Sequence, residues 1–377
     1  MNAVPLKERQ YDIDWLRAFA IFVVFLFHCA VFFSFEYWHV KNDRLDFGMT
    51  VFVGIVSQWI MPLFFVLSAV SAYYALEHRT NGAYIQERFK RLVVPLLFGM
   101  FVLSPPQVYI ERLTHGEFKG SFVEFIPHYF EGFYRLGGNF AWMGLHLWYL
   151  EMLFLFSIVT LPLFRFLRKE NVQTFLTTTA GFFAKRGAIF LLALPIGVTE
   201  MFVNLKQNIL SRRDFGGWSP LIYLVVFILG YIIVNDRRFR QQIENQKRVA
   251  LLMGAMTSVA GYFVLTSGGS SSTLLFSLLR AFNSWFWIVT ILGFGSRYLS
   301  FSAAYLPYAN EAVLPFYILH QPVIVIVGYF IASWEVNVLT KYALLSTFSF
   351  LVIVLLYDKV IKRSHLLRFV FGMKPMA

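Results

Sequence analysis

Ten apolar stretches divide this chain, most of them close to the roughly 20 residues that a helix needs to cross the hydrocarbon core of a bilayer. They run over about 15–35, 49–76, 92–110, 144–164, 187–203, 218–234, 249–265, 273–294, 312–334 and 342–360. A soluble fold has no place for so many. Charged residues make up 14% of the chain, against about 25% in an ordinary soluble protein, and they cannot cover its apolar surface. The pattern predicts an all-α polytopic membrane protein of about ten transmembrane helices, a single membrane domain over 1–377. The first stretch carries Arg17 and His28 and lacks a small-x-small cleavage site, so it reads as a retained span. Cys29 is the one cysteine, which excludes an intramolecular disulfide and a cysteine metal cluster.

Charge placement orients the spans. Of the 33 Lys and Arg residues, 22 fall in one set of alternate loops and 9 in the other, with Arg17 and Arg280 inside spans. That bias predicts cytoplasmic termini. It also accounts for the net charge of +12 as an inner-leaflet signal, so no nucleic acid partner is implied. The loop over about 111–143, rich in aromatics and mixed charge, reads as a lid or as an interfacial loop. The Ser- and Gly-rich run over 266–273 reads as a flexible connection.

Ionisable side chains inside a span cost about 2.5–3.5 kcal/mol on the insertion scale, so each needs a reason. Seven stand out: Arg17, His28, His146, Glu151, Glu200, Arg280 and His320. Eleven residues separate Arg17 from His28, which puts both on one helix face with an axial separation of about 16–17 Å. Taken singly, each reads as a snorkelling arginine or a hydrogen-bonded core histidine, whereas the aligned pair favours a shared functional face. His28, Glu151 and Arg280 each lie about seven residues from the outer end of their spans, roughly 10 Å deep. A shared depth suits one buried polar site, with separate pairing as the alternative. Arg88 and Arg91 share a helix face at the cytoplasmic end and, with Arg17, would suit phosphates; basic clusters there are also routine topology signals. His320 lies between Pro315 and Pro322, which free backbone carbonyls inside a span. It reads as a structural or acceptor-side residue, as does His146.

In order along the chain stand Asp12-Ile-Asp14-Trp-Leu-Arg17 with His28 after ten residues, Pro62-Leu-Phe-Phe-Val-Leu-Ser68, and Arg88-Phe-Lys-Arg91. His146-Leu-Trp148-Tyr-Leu150, Leu314-Pro-Phe-Tyr-Ile-Leu-His320-Gln-Pro322 and Leu366-Leu-Arg-Phe-Val-Phe-Gly-Met-Lys-Pro375 follow. This ordered set resembles the membrane-bound acyltransferase family 3 over nearly the whole chain. Trp38-His39-Val40, the His-Leu-Trp segment and the closing Gly-Met-Lys-Pro are similar to its glucan-biosynthesis branch, which implies succinyl decoration of periplasmic glucans. Ala69 stands where the family commonly has Gly.

The resemblance implies acyl transfer across a bacterial inner membrane, from cytoplasmic acyl-CoA to a carbohydrate hydroxyl on the other side, with no bound cofactor or metal. On that reading Arg17, Arg88 and Arg91 hold the donor's phosphates and His28 is the general base. Glu151 orients the imidazole and Arg280 stabilises the oxyanion. A variant has His28 itself carry the acyl group. The rival class is a transporter or permease for a small anionic or acylated substrate, which also places polar groups near the midplane. A non-catalytic membrane receptor is a third class, disfavoured by the small outer loops.

Overall fold

The computed structural model describes residues 10–205, 213, 216–266 and 274–376. The run over 267–273, read above as a flexible connection, lies outside the described residues. Helices form because lipid offers no hydrogen bonds, so each backbone N–H and C=O must be satisfied within its own segment. In chain order they are α1 Tyr11–Val31, α2 Phe47–Ser57, α3 Ile60–His78, α4 Asn81–Thr114 and α5 Phe122–His128. Next come α6 Leu145–Val159, α7 Leu161–Phe166, α8 Glu170–Phe183, α9 Ala188–Leu205, α10 Pro220–Val234 and α11 Arg237–Thr266. The last four are α12 Leu274–Tyr298, α13 Leu306–Ile331, α14 Val338–Lys359 and α15 His365–Val370. Among the described residues the β component is a single bridge between Phe133 and Phe140.

All ten predicted stretches fall on helix, but they do not cross a membrane in the same way. Among the described residues seven helices are individually long and apolar enough, with α2 and α3 together making one of them over Phe47–His78. The stretch over 218–234 is α10, and the one over 249–265 is the apolar half of α11. These two helices meet at a bend of 106° and qualify only jointly, giving seven spans, or eight with the bent pair. The charged half of α11, Arg237–Arg248, explains the bend, because it cannot follow α10 into hydrocarbon. The stretch over 144–164 forms the short apolar helix α6.

Helix ends are set by local chemistry. The Asp46 carboxylate accepts from the Met49 N–H at 2.9 Å, and the Asn337 side chain accepts from Thr340 at the same distance. Helix α4 contains two π turns, Phe89–Val93 and Gly99–Leu103, and such turns often accompany functional sites. At the centre of the bundle α1 packs against α2, α3, α12, α13 and α14.

Candidate active site

His28 lies near the end of α1, and its Nδ1 is 2.9 Å from the Val24 carbonyl of the preceding turn. A carbonyl only accepts, so Nδ1 carries the hydrogen. The same nitrogen is 3.3 Å from Nε2 of His320 on α13. His320 donates from its own Nδ1 to the Tyr317 carbonyl, which leaves its Nε2 as an acceptor. These partners assign the tautomers. Nε2 of His28 is then a bare lone pair, and His28 lines a cavity of about 540 Å³.

His146 lines the same cavity, with its ring 5.0 Å from that of His320; the His28 ring is 4.8 Å from His320 on the other side. One of the carbonyls freed by the prolines serves His146. Pro322 has no N–H, so the carbonyl of Ile318 loses its helical donor. His146 Nε2 stands 3.2 Å from that oxygen and replaces it. Tyr317 adds a hydroxyl bond to the His146 carbonyl.

The cavity lies at the end of α1 away from Arg17. Its outer wall includes Trp38, His39, Tyr134, Arg135 and Trp142, so the 111–143 loop does cover it. A buried network braces that wall. Glu111, 1% exposed, accepts from the Tyr37 and Tyr134 hydroxyls at 2.9 and 2.6 Å and from Nδ1 of His39. Nε2 of His39 then receives the Gln321 amide at 2.9 Å, and Gln321 also reaches Gln107 at 3.2 Å. Burial, reinforced by the Glu111 carboxylate, raises the phenol of Tyr134 and pushes that of Tyr37 up to about 12. Both therefore remain hydrogen-bond donors.

The other end of α1 is basic. Arg17 donates to Ser71 at 2.7 Å and pairs with Asp14 at 3.1 Å. It lies within electrostatic reach of Arg88, Arg91 and Tyr149. Arg88 stacks over Tyr84, 4.9 Å from the ring centre. Arg91, in the first π turn of α4, is 3.8 Å from Glu87. The structure thus gathers the three arginines. Between them and the histidines stand Tyr149, 2.6 Å from the Ser68 hydroxyl, and Tyr317, their rings 5.8 Å apart.

Two predicted site residues go elsewhere. Arg280 pairs with Glu200 at 3.1 Å, donates to Gln58 and the Gly217 carbonyl, and stacks on Trp218 at 3.8 Å. Arg213 joins the same carboxylate at 2.7 Å. A buried guanidinium goes to the nearest carboxylate, and for Arg280 that is Glu200. Glu151 is half-buried, feels the charge of Arg135 and keeps one carboxylate oxygen buried without a partner. Among the described residues no hydrogen bond or ion pair joins Glu151 or Arg280 to His28, so neither belongs to its immediate site. Equal depth along parallel helices leaves the angle about each axis open.

Sequence reasoning missed His39, Glu111, Tyr134 and Gln321 as one network. Gln321 directly follows His320, and His39 lies in the Trp-His-Val segment, but their meeting depends on loops closing over the bundle. Among the described residues no group of three or more His, Cys, Asp or Glu is arranged to hold a metal ion.

The model of an acyltransferase domain family matches residues 10–358. A relative named glucans biosynthesis protein C, from Escherichia coli strain SMS-3-5, is 25% identical over 100% of this chain and 97% of its own length. Relatives of the same name from Escherichia coli O157:H7 strain EC4115 and from strain K12 are each 24% identical with the same coverage. No solved structure matches. The seven or eight spans, the family match from α1 to α14 and the gathered motif residues together place this chain: it belongs to the membrane-bound acyltransferase family 3 and is an O-acyltransferase.

Proposed function

We propose that the protein moves an acyl group of the acetyl or succinyl type from cytoplasmic acyl-CoA to a hydroxyl of a carbohydrate across a bacterial inner membrane, such as a glucan or surface polysaccharide. The observation that carries this reading is the two-ended face of α1. Arg17 lies among arginines at one end, and His28 presents a free Nε2 to a cavity at the other. Guanidinium groups suit the phosphates of the CoA nucleotide, because their planar fork matches phosphate oxygens. The acyl-pantetheine arm is long and thin, and it would pass the Tyr149–Tyr317 pair to reach His28.

Nε2 of His28 accepts the proton of the incoming hydroxyl as that oxygen attacks the thioester carbonyl. The C–S bond then breaks, and the CoA thiolate leaves with the electron pair and regains the proton. While His28 is charged, its Nδ1–H keeps its two acceptors, the Val24 carbonyl and His320 Nε2. The full-length names of the relatives support a glucan as the acceptor.

The test uses purified protein in liposomes, labelled acetyl- or succinyl-CoA on one side and a β-glucan oligosaccharide on the other. CoA release that depends on the oligosaccharide, with label appearing on it, is the expected result. Label that crosses intact without CoA release would turn the reading into that of a carrier.

A further inference from the structure

His28 and His146 line the cavity with the buried His320 between them, and the hydrogen bonds of the three imidazoles can be accounted for atom by atom. His320 spends both nitrogens, donating to Tyr317 and accepting from His28. His28 spends Nδ1 and keeps Nε2. His146 donates from Nε2 to the carbonyl that Pro322 frees, so its Nδ1 carries a lone pair rather than a hydrogen. That Nδ1 is buried and has no partner, although the residue is only 7% exposed and lines the cavity. An unpaired buried acceptor costs about 1–3 kcal/mol, so the fold keeps His146 Nδ1 at a disadvantage that a ligand hydroxyl would remove.

We propose that His146 accepts a hydrogen bond from a second hydroxyl of the acceptor while His28 takes the proton of the first, so that the cavity selects polyhydroxylated acceptors over isolated alcohols. The inference rests on the acyl-transfer reading above and names the chemistry of its acceptor side. Two bare imidazole nitrogens flank His320, whose ring is 4.8 Å from His28 and 5.0 Å from His146. Hydroxyls on neighbouring carbons of a sugar ring present two donors in one rigid unit. A monohydric alcohol satisfies one imidazole and leaves the other empty. Sites built to hydrogen-bond a substrate hydroxyl discriminate strongly against the analogue that lacks it, because the protein group is then left unpaired.

Two substitutions separate this role from a structural one. His146→Gln keeps a donor where Nε2 meets Ile318 and removes the Nδ1 acceptor. His146→Asn keeps an acceptor near Nδ1 and gives up the Ile318 bond. Full-length protein in liposomes is supplied with acetyl- or succinyl-CoA, and with methyl β-glucoside or its monodeoxy analogues as acceptors. In the wild type, removing a hydroxyl next to the reacting one should lower kcat/KM at least about tenfold. His146→Gln should lose a similar factor on the parent glucoside through acceptor KM, keep its acyl-CoA KM, and lose little more on the deoxy analogue. His146→Asn should recover part of the preference. A His146→Gln enzyme that discriminates like the wild type would overturn the proposal, and so would one whose acyl-CoA KM rises in step. Wild-type protein that releases no CoA with any of these sugars would instead strike the carbohydrate reading beneath it.

Discussion

Nδ1 of His28 and Nε2 of His320 lie 3.3 Å apart, a hydrogen bond between two imidazoles that joins α1 to α13. His320 is fully buried and has no other free nitrogen, so it acts on His28 as a fixed acceptor. The bond, with the one to Val24, decides which nitrogen of His28 faces the cavity.

Replacing His28 with Ala should lower acyl transfer by at least about 10²-fold, the lower end for losing a general base. Membrane insertion should be unchanged, because a neutral residue lightens the span. His320→Ala should cost less, since it frees the ring to rotate without removing it. Liposome CoA-release rates decide both; wild-type turnover in His28→Ala would end its assignment as the base.

Arg88→Ala and Arg91→Ala should each raise the KM for acyl-CoA more than they lower kcat, because phosphate contacts exist before and during the transition state. Lys at either position should restore only part, lacking the planar fork. Unchanged KM values in both Ala variants would reduce the pair to a topology signal.

Arg280 supports the fold rather than the chemistry. Arg280→Ala leaves the buried Glu200 with Arg213 alone and should cost about 3 kcal/mol, the low end for breaking a buried pair. Turnover per folded molecule should stay near the wild type. Thermal denaturation and active-site-normalised rates measure the two quantities separately. A normal melting temperature with lost turnover would return Arg280 to the active site.

Lys41 supplies a pH signature in the loop between α1 and α2. It donates to the Val31 and Glu36 carbonyls, and burial pushes its ammonium down to about 8 against the opposing pull of the Glu36 carboxylate. The folded value lies below the unfolded one, so burial penalises the charged form. That penalty is complete below pH 8 and fades as pH rises from about 8 towards 10.5. Stability from this residue should therefore increase across that window. Amine acetylation followed by mass spectrometry should show Lys41 half-reactive near pH 8. Half-reaction near the usual lysine value of about 10.4 would contradict the burial argument.

Hydrophobic periodicity made the helices and their approximate ends legible, because length and apolarity are local properties. Arg17, His28, Arg88 and Arg91 were legible for a related reason: spacing on a helix fixes which side chains share a face. That rule puts Arg17 and His28 on one face of α1 and Arg88 and Arg91 on one face of α4, while the nearness of the two arginine groups is a tertiary fact. Glu151 and Arg280 went astray because span position gives depth and leaves rotation free. The Glu200–Arg280 pair illustrates the cost, for both residues were visible as intramembrane charges and their partnership was not. His39, Glu111 and Tyr134 meet through loop closure between segments as many as 95 residues apart, which no local pattern encodes.

Beyond the spans, α15 closes with Gly372 at φ +66°, its N–H bonded to Phe369 and that of Met373 to Arg368. A Cβ at Gly372 would stand 2.8 Å from the Arg91 carbonyl and 2.9 Å from Leu314 and Pro95, so only glycine can settle there. The tail thus seals the helix turn that carries Arg91. The seal is translated 13 residues after α14 ends at Lys359, so it comes after the sequence of every span. If Arg91 serves the donor as proposed, insertion of the spans and completion of that turn are separable events in the life of the polypeptide. A chain interrupted between α14 and Gly372 should still be inserted and counted as membrane protein while the turn that carries Arg91 stayed unsealed. Abundance on a membrane blot is consequently a poor proxy for competent enzyme, and a nonsense allele in this short segment should behave as a silent occupant of the bilayer.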